Sequence, residues 1–456
     1  MLSRSVLARQ AQRAARASWQ HETRRGLAAP ASGSFSYDSG DAQGIKVASR
    51  DQTGPVTTLA LVAKAGTRYQ PLPGLTQALE RFAFKSTENR STLRIQREAE
   101  LLGSELNSYH SRENLVLGAK FLRDDLPYFV ELLAEVVTQT KYAPHVLHEE
   151  IFPLIQLEQK KFLGSPLSMA TNSAYGLAFH RGLGVPLYPS SSLPVAKYID
   201  PEGVADFSNA AYAKPNFAIV ANGATHNELS KWVNEFFTDI PAQPSFQITS
   251  EQSKYYGGEE RIAHGSGNAL VIAFPGSSSP TGSSYKPEVA VLAALLGGPS
   301  AIKWSTGSSK LLLATAEAPN LFAHTKSTIH SDAGLLSIAL SGTADDIRLV
   351  AKPVVDALKA IAQGVSKEDL AKAKALAKFK ELENGQATEG SLELTGAGLI
   401  LNGKPYQIDE VAKNVDSVTA EKVQAVAKAA LEGKASVSAV GDLYVLPYAE
   451  EIGLKV

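Results

Sequence analysis

Residues 73–87 of the chain read PGLTQALERFAFKST. The apolar residues of this stretch recur at the spacing of one helix face: Leu75, Ala78, Leu79, Phe82 and Ala83. This periodicity predicts an amphipathic helix with its apolar face buried, and the opposite face carries Gln77, Glu80 and Arg81. Residues four apart on a helix lie one above the other, and a metallopeptidase that takes two zinc ligands from one helix needs imidazoles there. Here those two positions hold an amide and a guanidinium.

The stretch resembles the inverted zinc motif, His-x-x-Glu-His, of the pitrilysin-like peptidases. The resemblance is to the branch that contains the mitochondrial processing peptidase and the core proteins of respiratory complex III, in which the helix ends in a phrase similar to residues 83–87. Under this alignment Gln77 and Arg81 replace both histidines, and Glu80 keeps the place of the general base. The resemblance therefore implies a degenerate zinc motif, with no catalytic residue, no bound metal and no cofactor.

The family takes its third zinc ligand from a glutamate further along the chain. The corresponding count from Arg81 ends among residues 156–158, where Glu158 is the acidic residue. Glu158 either takes the third ligand position or is a surface charge on a predicted helix over residues 149–162. The sequence leaves both interpretations open.

Composition indicates a large globular chain. The chain of 456 residues is too long for one ordinary hydrophobic core, which predicts at least two domains. No apolar run is long enough to span a bilayer, so we expect no transmembrane segment. The formal net charge of −1 provides no long-range field for polyanions, which argues against nucleic acid as a partner. The absence of cysteine excludes disulfides, thiolate catalysis and cysteine metal sites.

The first 27 residues differ from the rest of the chain in their charge. They contain six arginines and a single acidic residue, Glu22. An arginine-rich, acid-poor start is typical of a mitochondrial presequence, and Arg25-Gly26-Leu27-Ala28 looks like a processing site with arginine two residues before the cut. We therefore expect a presequence at residues 1–27. A disordered basic tail is the alternative.

From Ala28 onward the chain repeats one pattern twice. Residues 57–66 and residues 268–276 each predict a strand that ends at glycine and precedes a proline-initiated helix. Acidic pairs at Asp124-Asp125 and Asp345-Asp346 each open a further helix, where the helix dipole favours them. Nearly the same number of residues separates the two members of each matching pair. This regularity predicts an internal duplication.

The duplication sets the expected domains and fold class. We predict an α+β protein with two homologous domains of similar topology, each a mostly antiparallel sheet with helices packed on one face. The domains are expected at residues 28–240 and 259–456, with a Pro-, Gln- and Ser-containing linker at residues 241–258. The family resemblance adds the expectation of a clamshell around a central cavity.

A glycine- and serine-rich segment occupies residues 297–309. It lacks the Gly-Lys-Ser/Thr ending of a phosphate-binding P-loop, so we do not expect nucleotide binding there. The segment resembles the glycine-rich loop of the non-catalytic processing-peptidase subunit, although it has fewer glycines and a bulky Trp304. An ordinary helix-to-strand connection is the alternative.

The resemblance implies a non-enzymatic structural subunit of respiratory complex III, peripheral on the matrix side of the mitochondrial inner membrane. Residues 356–364, followed by a capping box from Ser366, resemble the corresponding stretch of core proteins. The implied partners are a core protein 1 homologue, cytochrome b, cytochrome c1 and the Rieske subunit, in a complex that dimerises. The alternative is the non-catalytic, substrate-binding subunit of the mitochondrial processing peptidase. Catalysis is disfavoured because a permanent cation at Arg81 would repel a zinc ion at ligand distance.

Overall fold

The computed structural model describes residues 36–456 with gaps at residue 53, residues 191–192, residue 283, residues 300–308 and residue 387. The presequence predicted at residues 1–27 and most of the segment at residues 297–309 lie outside the described residues. The strands are β1 (Asp38–Ala42), β2 (Ile45–Arg50), β3 (Val56–Ala63), β4 (Glu105–His110), β5 (Leu115–Leu122), β6 (Phe217–Asn222), β7 (Gly258–Ala263), β8 (Asn268–Pro275), β9 (Phe322–Ile329), β10 (Gly334–Gly342) and β11 (Ser436–Gly441).

Helices surround these strands in both halves of the chain. In the N-terminal half they are α1 (Leu75–Phe82), α2 (Thr92–Leu101), α3 (Leu126–Gln139), α4 (Pro144–Val146), α5 (Phe152–Leu163), α6 (Pro166–Phe179), α7 (Val195–Tyr198), α8 (Pro201–Ala211) and α9 (His226–Phe236). In the C-terminal half they are α10 (Pro287–Leu296), α11 (Lys310–Ala314), α12 (Ala344–Gln363), α13 (Lys367–Gln386), α14 (Thr388–Asn402), α15 (Ile408–Asp416) and α16 (Ala420–Glu432). A π-helical turn (Leu147–Ile151) joins α4 to α5, and single 3-10 turns occur at Arg123–Asp125, Gly182–Gly184 and Lys214–Asn216.

The two sheets have the same strand order. The first sheet is ordered β1-β2-β6-β3-β5-β4 and the second β7-β11-β8-β10-β9. Each contains one parallel pair, β2 with β6 and β7 with β11, and all other neighbours are antiparallel. Apart from β1, the sheets therefore correspond strand by strand. The predicted α+β duplication is confirmed.

Each sheet is covered on one face by helices of its own half and on the other by a helix of the opposite half. The central strands β6 and β11 are buried at every residue, which requires cover on both faces. Helix α14 packs against the first sheet, where Leu392 and Leu399 contact a cluster that includes Val62. Helix α6 packs against the second sheet through small residues at four-residue spacing: Ala170, Ala174 and Ala178. This exchange adds a second helical layer to the predicted architecture.

Residues 241–257, in the segment where the sequence predicts a linker, form neither helix nor strand and run between α9 and β7. This segment contacts both halves of the chain: Ser250 accepts a hydrogen bond from Arg68 of the N-terminal half, and the amide of Ser253 donates to Asp332 of the C-terminal half. Among the described residues, none of the helices combines the length and the apolar character that a membrane crossing requires.

Candidate functional site

Helix α1 positions the three residues of the degenerate motif, Gln77, Glu80 and Arg81. Its first turn begins after Gly74, whose φ of 94° suits glycine, and the side chain of Gln70 accepts a hydrogen bond from the Gly74 amide at 3.0 Å. The predicted apolar face is buried. The opposite face is also buried, contrary to the usual pattern of an amphipathic helix, since Gln77 and Glu80 are only 1% and 5% exposed. The reason is that α5 and β4 pack against this side of α1.

Glu158 of α5 lies directly against the motif. Its carboxylate accepts hydrogen bonds from Nε2 of Gln77 and from Nη2 of Arg81. The structure thus brings together the two histidine positions and the glutamate that the sequence analysis could not place. Glu158 faces the motif and is not a solvated surface charge, because its side chain is 24% exposed and forms an ion pair with Arg81.

Glu80, at the general-base position, is held by a histidine that the sequence analysis did not single out. Its carboxylate binds Nδ1 of His110, and the other oxygen lies 3.4 Å from Nη2 of Arg81. Nε2 of His110 is 3.2 Å from the carbonyl oxygen of Leu187. Burial, followed by the nearby Glu80 charge, raises the pKa of Tyr188, whose ring packs edge-on to His110. No local motif marks His110, because the pairing depends on the position of β4 beside α1.

The chemistry of this donor set does not fit zinc. A guanidinium is a permanent cation without a free acceptor, so Arg81 cannot serve as a ligand. Only Glu158 remains from the family's ligand set, whereas a catalytic zinc site uses three protein ligands and an open position for water. Within the described part of the chain, no cluster of three or more His, Cys, Asp or Glu residues has the arrangement of a metal site. What the arrangement does is link α1, α5 and β4 through charge-assisted hydrogen bonds.

A second polar cluster joins the two halves. Arg68 donates to Glu113 at 2.8 Å and forms a two-pronged pair with Asp332, at 2.8 Å to each carboxylate oxygen. The amide of Ser331 donates to Glu113 at 2.8 Å. Burial is the largest single influence on Asp332 and opposes its ionisation, but the hydrogen bonds from Arg68 and Ser253 and the Arg68 charge together outweigh burial and lower the Asp332 pKa. The cluster is therefore an ionic contact between an N-terminal and a C-terminal loop.

His330 is buried beside this cluster. Its Nε2 lies 3.2 Å from the hydroxyl of Tyr175, and its Nδ1 lies 3.8 Å from Glu113. Burial is the largest influence and lowers the pKa of His330 to about 4, although Glu113 acts in the opposite direction. His330 also borders a cavity of about 340 Å³ between the halves, whose acidic lining includes Glu381 and Glu393.

Comparison with known proteins places this fold and site in a class. Residues 46–176, which contain the whole degenerate motif, match the family described as Insulinase (Peptidase family M16). Residues 198–376 match the Peptidase M16 inactive domain. The duplicated fold and the replaced ligand positions define a non-catalytic homologue of the M16 peptidases.

Similarity to individual proteins extends over the whole chain. The chain is 52% identical to the mitochondrial cytochrome b-c1 complex subunit 2 of Neurospora crassa, with 100% of each chain covered. It is 36% identical to the protein of the same name from Yarrowia lipolytica, over 91% of this chain and 96% of that one. It is 28% identical to the mitochondrial-processing peptidase subunit alpha-2 of Dictyostelium discoideum, over 90% of this chain and 92% of that one. The chain belongs to the M16 family, in the group formed by subunit 2 of the cytochrome b-c1 complex.

Proposed function

We propose that this chain is the structural core subunit 2 of mitochondrial respiratory complex III, the cytochrome b-c1 complex, and supports the assembly and stability of the complex that transfers electrons from ubiquinol to cytochrome c. The observation that carries the non-catalytic part of this proposal is the use of Glu158 as an acceptor for both Gln77 and Arg81, and the identity of 52% to the Neurospora subunit supports the rest. The residues at the former ligand positions stabilise the fold instead of binding a metal. The chain contributes surfaces and stability to the complex, and it has no peptidase activity of its own.

The proposal includes location and partners. Residues 1–27 direct the chain to mitochondria and are removed, and the mature subunit is peripheral on the matrix side of the inner membrane. Its neighbours are a core protein 1 homologue, cytochrome b, cytochrome c1 and the Rieske subunit, and it occurs twice because the complex dimerises. The arginine-rich start and the names of the mitochondrial relatives support these points.

A second candidate function is the substrate-binding subunit of the mitochondrial processing peptidase. The observation in favour of this function is the similarity to the Dictyostelium protein, which is named as a subunit of that peptidase. The identity of 28% to that protein is well below the 52% to the Neurospora subunit, so the core-subunit function is preferred.

Zinc content tests the proposed loss of the metal site. We expect the purified mature chain to contain no stoichiometric zinc after dialysis against zinc-containing buffer. The double substitution Gln77→His/Arg81→His restores two imidazoles facing Glu158, so this variant is expected to gain about one zinc per chain, because two histidines and one glutamate form a catalytic ligand set. Metal analysis by mass spectrometry measures the zinc content of the unmodified chain and of the double variant.

The matched control adds Glu158→Gln to the double variant and is expected to lose most of the gained zinc, since one of three ligands is removed. Circular dichroism verifies that each variant is folded. Stoichiometric zinc in the unmodified chain, or peptidase activity that Glu80→Gln abolishes, would show that the site still works as a metal centre.

A further inference from the structure

A cavity of about 500 Å³ lies where the C-terminal end of α6 meets the segment that joins the two halves. His180 and Arg181 line it from the α6 side, and Ser253, Lys254 and Tyr256 line it from the joining segment. This cavity is separate from the degenerate motif and from the acidic cavity between the halves. Its volume is in the range of small-molecule binding sites.

Basic side chains outnumber acidic ones in the lining of this cavity. Arg181 and Lys254 form no ion pair with any described residue. The lining also includes His180, which offers a ring N–H donor in either protonation state, and one acidic residue, Glu251. Two basic side chains and one carboxylate therefore line a concave surface, an arrangement that favours an anionic ligand.

A stacked pair of aromatic rings also lines the cavity. The rings of His180 and Tyr256 are stacked, with centroids 4.1 Å apart and planes 9° from parallel. Nζ of Lys254 is 5.5 Å from the Tyr256 ring centroid. The stack fixes both rings and places a cation beside them, which provides a flat surface next to the anion-binding groups.

The backbone that presents His180 and Arg181 is strained. His180 has φ 56° and ψ −57°, and the Arg181 amide donates to the Phe179 carbonyl oxygen at 2.6 Å. These values describe a three-residue γ-turn of the rare type, which is unfavourable for a residue with a side chain. Such strain persists where the surroundings impose it and is frequent at binding sites. Here the turn sets the direction of two basic side chains.

We propose that this cavity binds a phosphate group carried by a small organic molecule. Phosphate oxygens accept hydrogen bonds from the Arg181 guanidinium and the Lys254 ammonium, and guanidinium matches the oxyanion in two-pronged geometry. The volume exceeds that of phosphate alone and leaves room for an organic part against the His180–Tyr256 stack. The phosphate is carried either by a soluble metabolite or by a lipid headgroup.

Titration of the full mature chain with adenosine monophosphate, followed by calorimetry, tests the proposal. We expect saturable binding that weakens as salt is added. The double substitution Arg181→Gln/Lys254→Gln should weaken binding at least about tenfold, because charge-assisted hydrogen bonds are lost. The matched control, Arg348→Gln/Lys352→Gln, removes one exposed arginine and one exposed lysine from α12 and should leave the affinity unchanged.

Vesicle binding distinguishes the two sources of phosphate. Vesicles of phosphatidylcholine alone are compared with vesicles containing equal parts of phosphatidylglycerol. Binding to the anionic vesicles that the Arg181→Gln/Lys254→Gln variant loses assigns the site to a lipid headgroup, and binding only to adenosine monophosphate or inorganic phosphate assigns it to a soluble ligand. The proposal is overturned by the absence of binding to all of these probes, or by binding that the double substitution does not weaken.

Discussion

Glu158 has a structural role here because Gln77 and Arg81 stand at the two positions where the family's zinc motif has histidines. In a zinc site the glutamate would share a dication with two imidazoles, whereas here it neutralises Arg81 and accepts from Gln77. Removing either partner would leave a partly buried carboxylate with one donor fewer, which is costly in proteins. The charge of the lost metal is therefore replaced by the charge of a side chain.

His330 provides a prediction at the scale of one residue. Burial lowers its folded-state pKa to about 4, below the value of about 6.5 of an unfolded histidine. The folded chain thus excludes a proton that the unfolded chain binds. The contribution of this difference in the His330 pKa to the free energy of unfolding is fully present above pH 6.5 and is lost as the pH falls from 6.5 towards 4. We expect this one group to reduce the free energy of unfolding by about 3 kcal/mol across that window.

Urea unfolding at a series of pH values measures this effect. His330→Gln removes the titrating ring while keeping a hydrogen-bonding side chain, so the slope of stability against pH between 4 and 6.5 should decrease. His145→Gln, at an exposed position on α4, serves as the control and should leave the slope unchanged. An unchanged slope in the His330→Gln variant would contradict the assignment.

The residues that sequence could identify were those with a fixed local spacing. Gln77, Glu80 and Arg81 were recognisable because their spacing on one helix is that of a family motif. His110 and Glu113 were not, because their partners come from α1 and from loops far along the chain. Pairings of this kind depend on how elements pack, and no periodicity within β4 or its following loop indicates them.

At the scale of elements, the close approach of α14 to β3 depends on one glycine. A Cβ atom at Gly396 would lie 2.5 Å from Cγ2 of Val62, closer than atoms pack. Val62 is completely buried in the first sheet, so it has little room to move. Gly396→Ala should therefore push α14 off the sheet and destabilise the chain by about 1–3 kcal/mol, the usual cost of overpacking a core.

The midpoint of urea unfolding measures this loss. Gly364→Ala is the control, since a Cβ atom there meets no other atom within 4 Å and its φ of −179° is accessible to any residue. The control should change stability by no more than about 0.5 kcal/mol. Equal stabilities of the two variants would mean that α14 does not pack closely on β3.

Strands β3 and β8 and the helices that follow them were predictable from pattern alone. Strand β8 and helix α10 begin at the residues that the sequence indicates, because their apolar runs end at glycine or begin at proline. The exchange of α6 and α14 between the halves was not predicted. A helix with alanine at every fourth position packs equally well on either sheet, so its sequence does not reveal which sheet it covers.

At the scale of the whole molecule, several contacts among the described residues join the halves. They include the exchanged helices, the Arg68–Asp332 ion pair and a reciprocal pair of hydrogen bonds, each 3.1 Å long, between the backbone of Tyr37 and the side chain of Gln407. Tyr37 also donates to Asn222 at 2.7 Å through its hydroxyl group. The beginning of the described chain is therefore anchored on both halves.

Gentle extraction of the membrane complex tests most directly whether the chain is one of its components. Mitochondrial inner membranes are solubilised in mild detergent, separated by native electrophoresis and analysed by mass spectrometry. We predict that the chain migrates with cytochrome b, cytochrome c1 and a core protein 1 homologue, and that its N-terminal peptide begins at Ala28. Migration as a soluble two-subunit peptidase free of haem proteins would contradict the proposed function, and an N-terminal peptide near Met1 would contradict the proposed presequence.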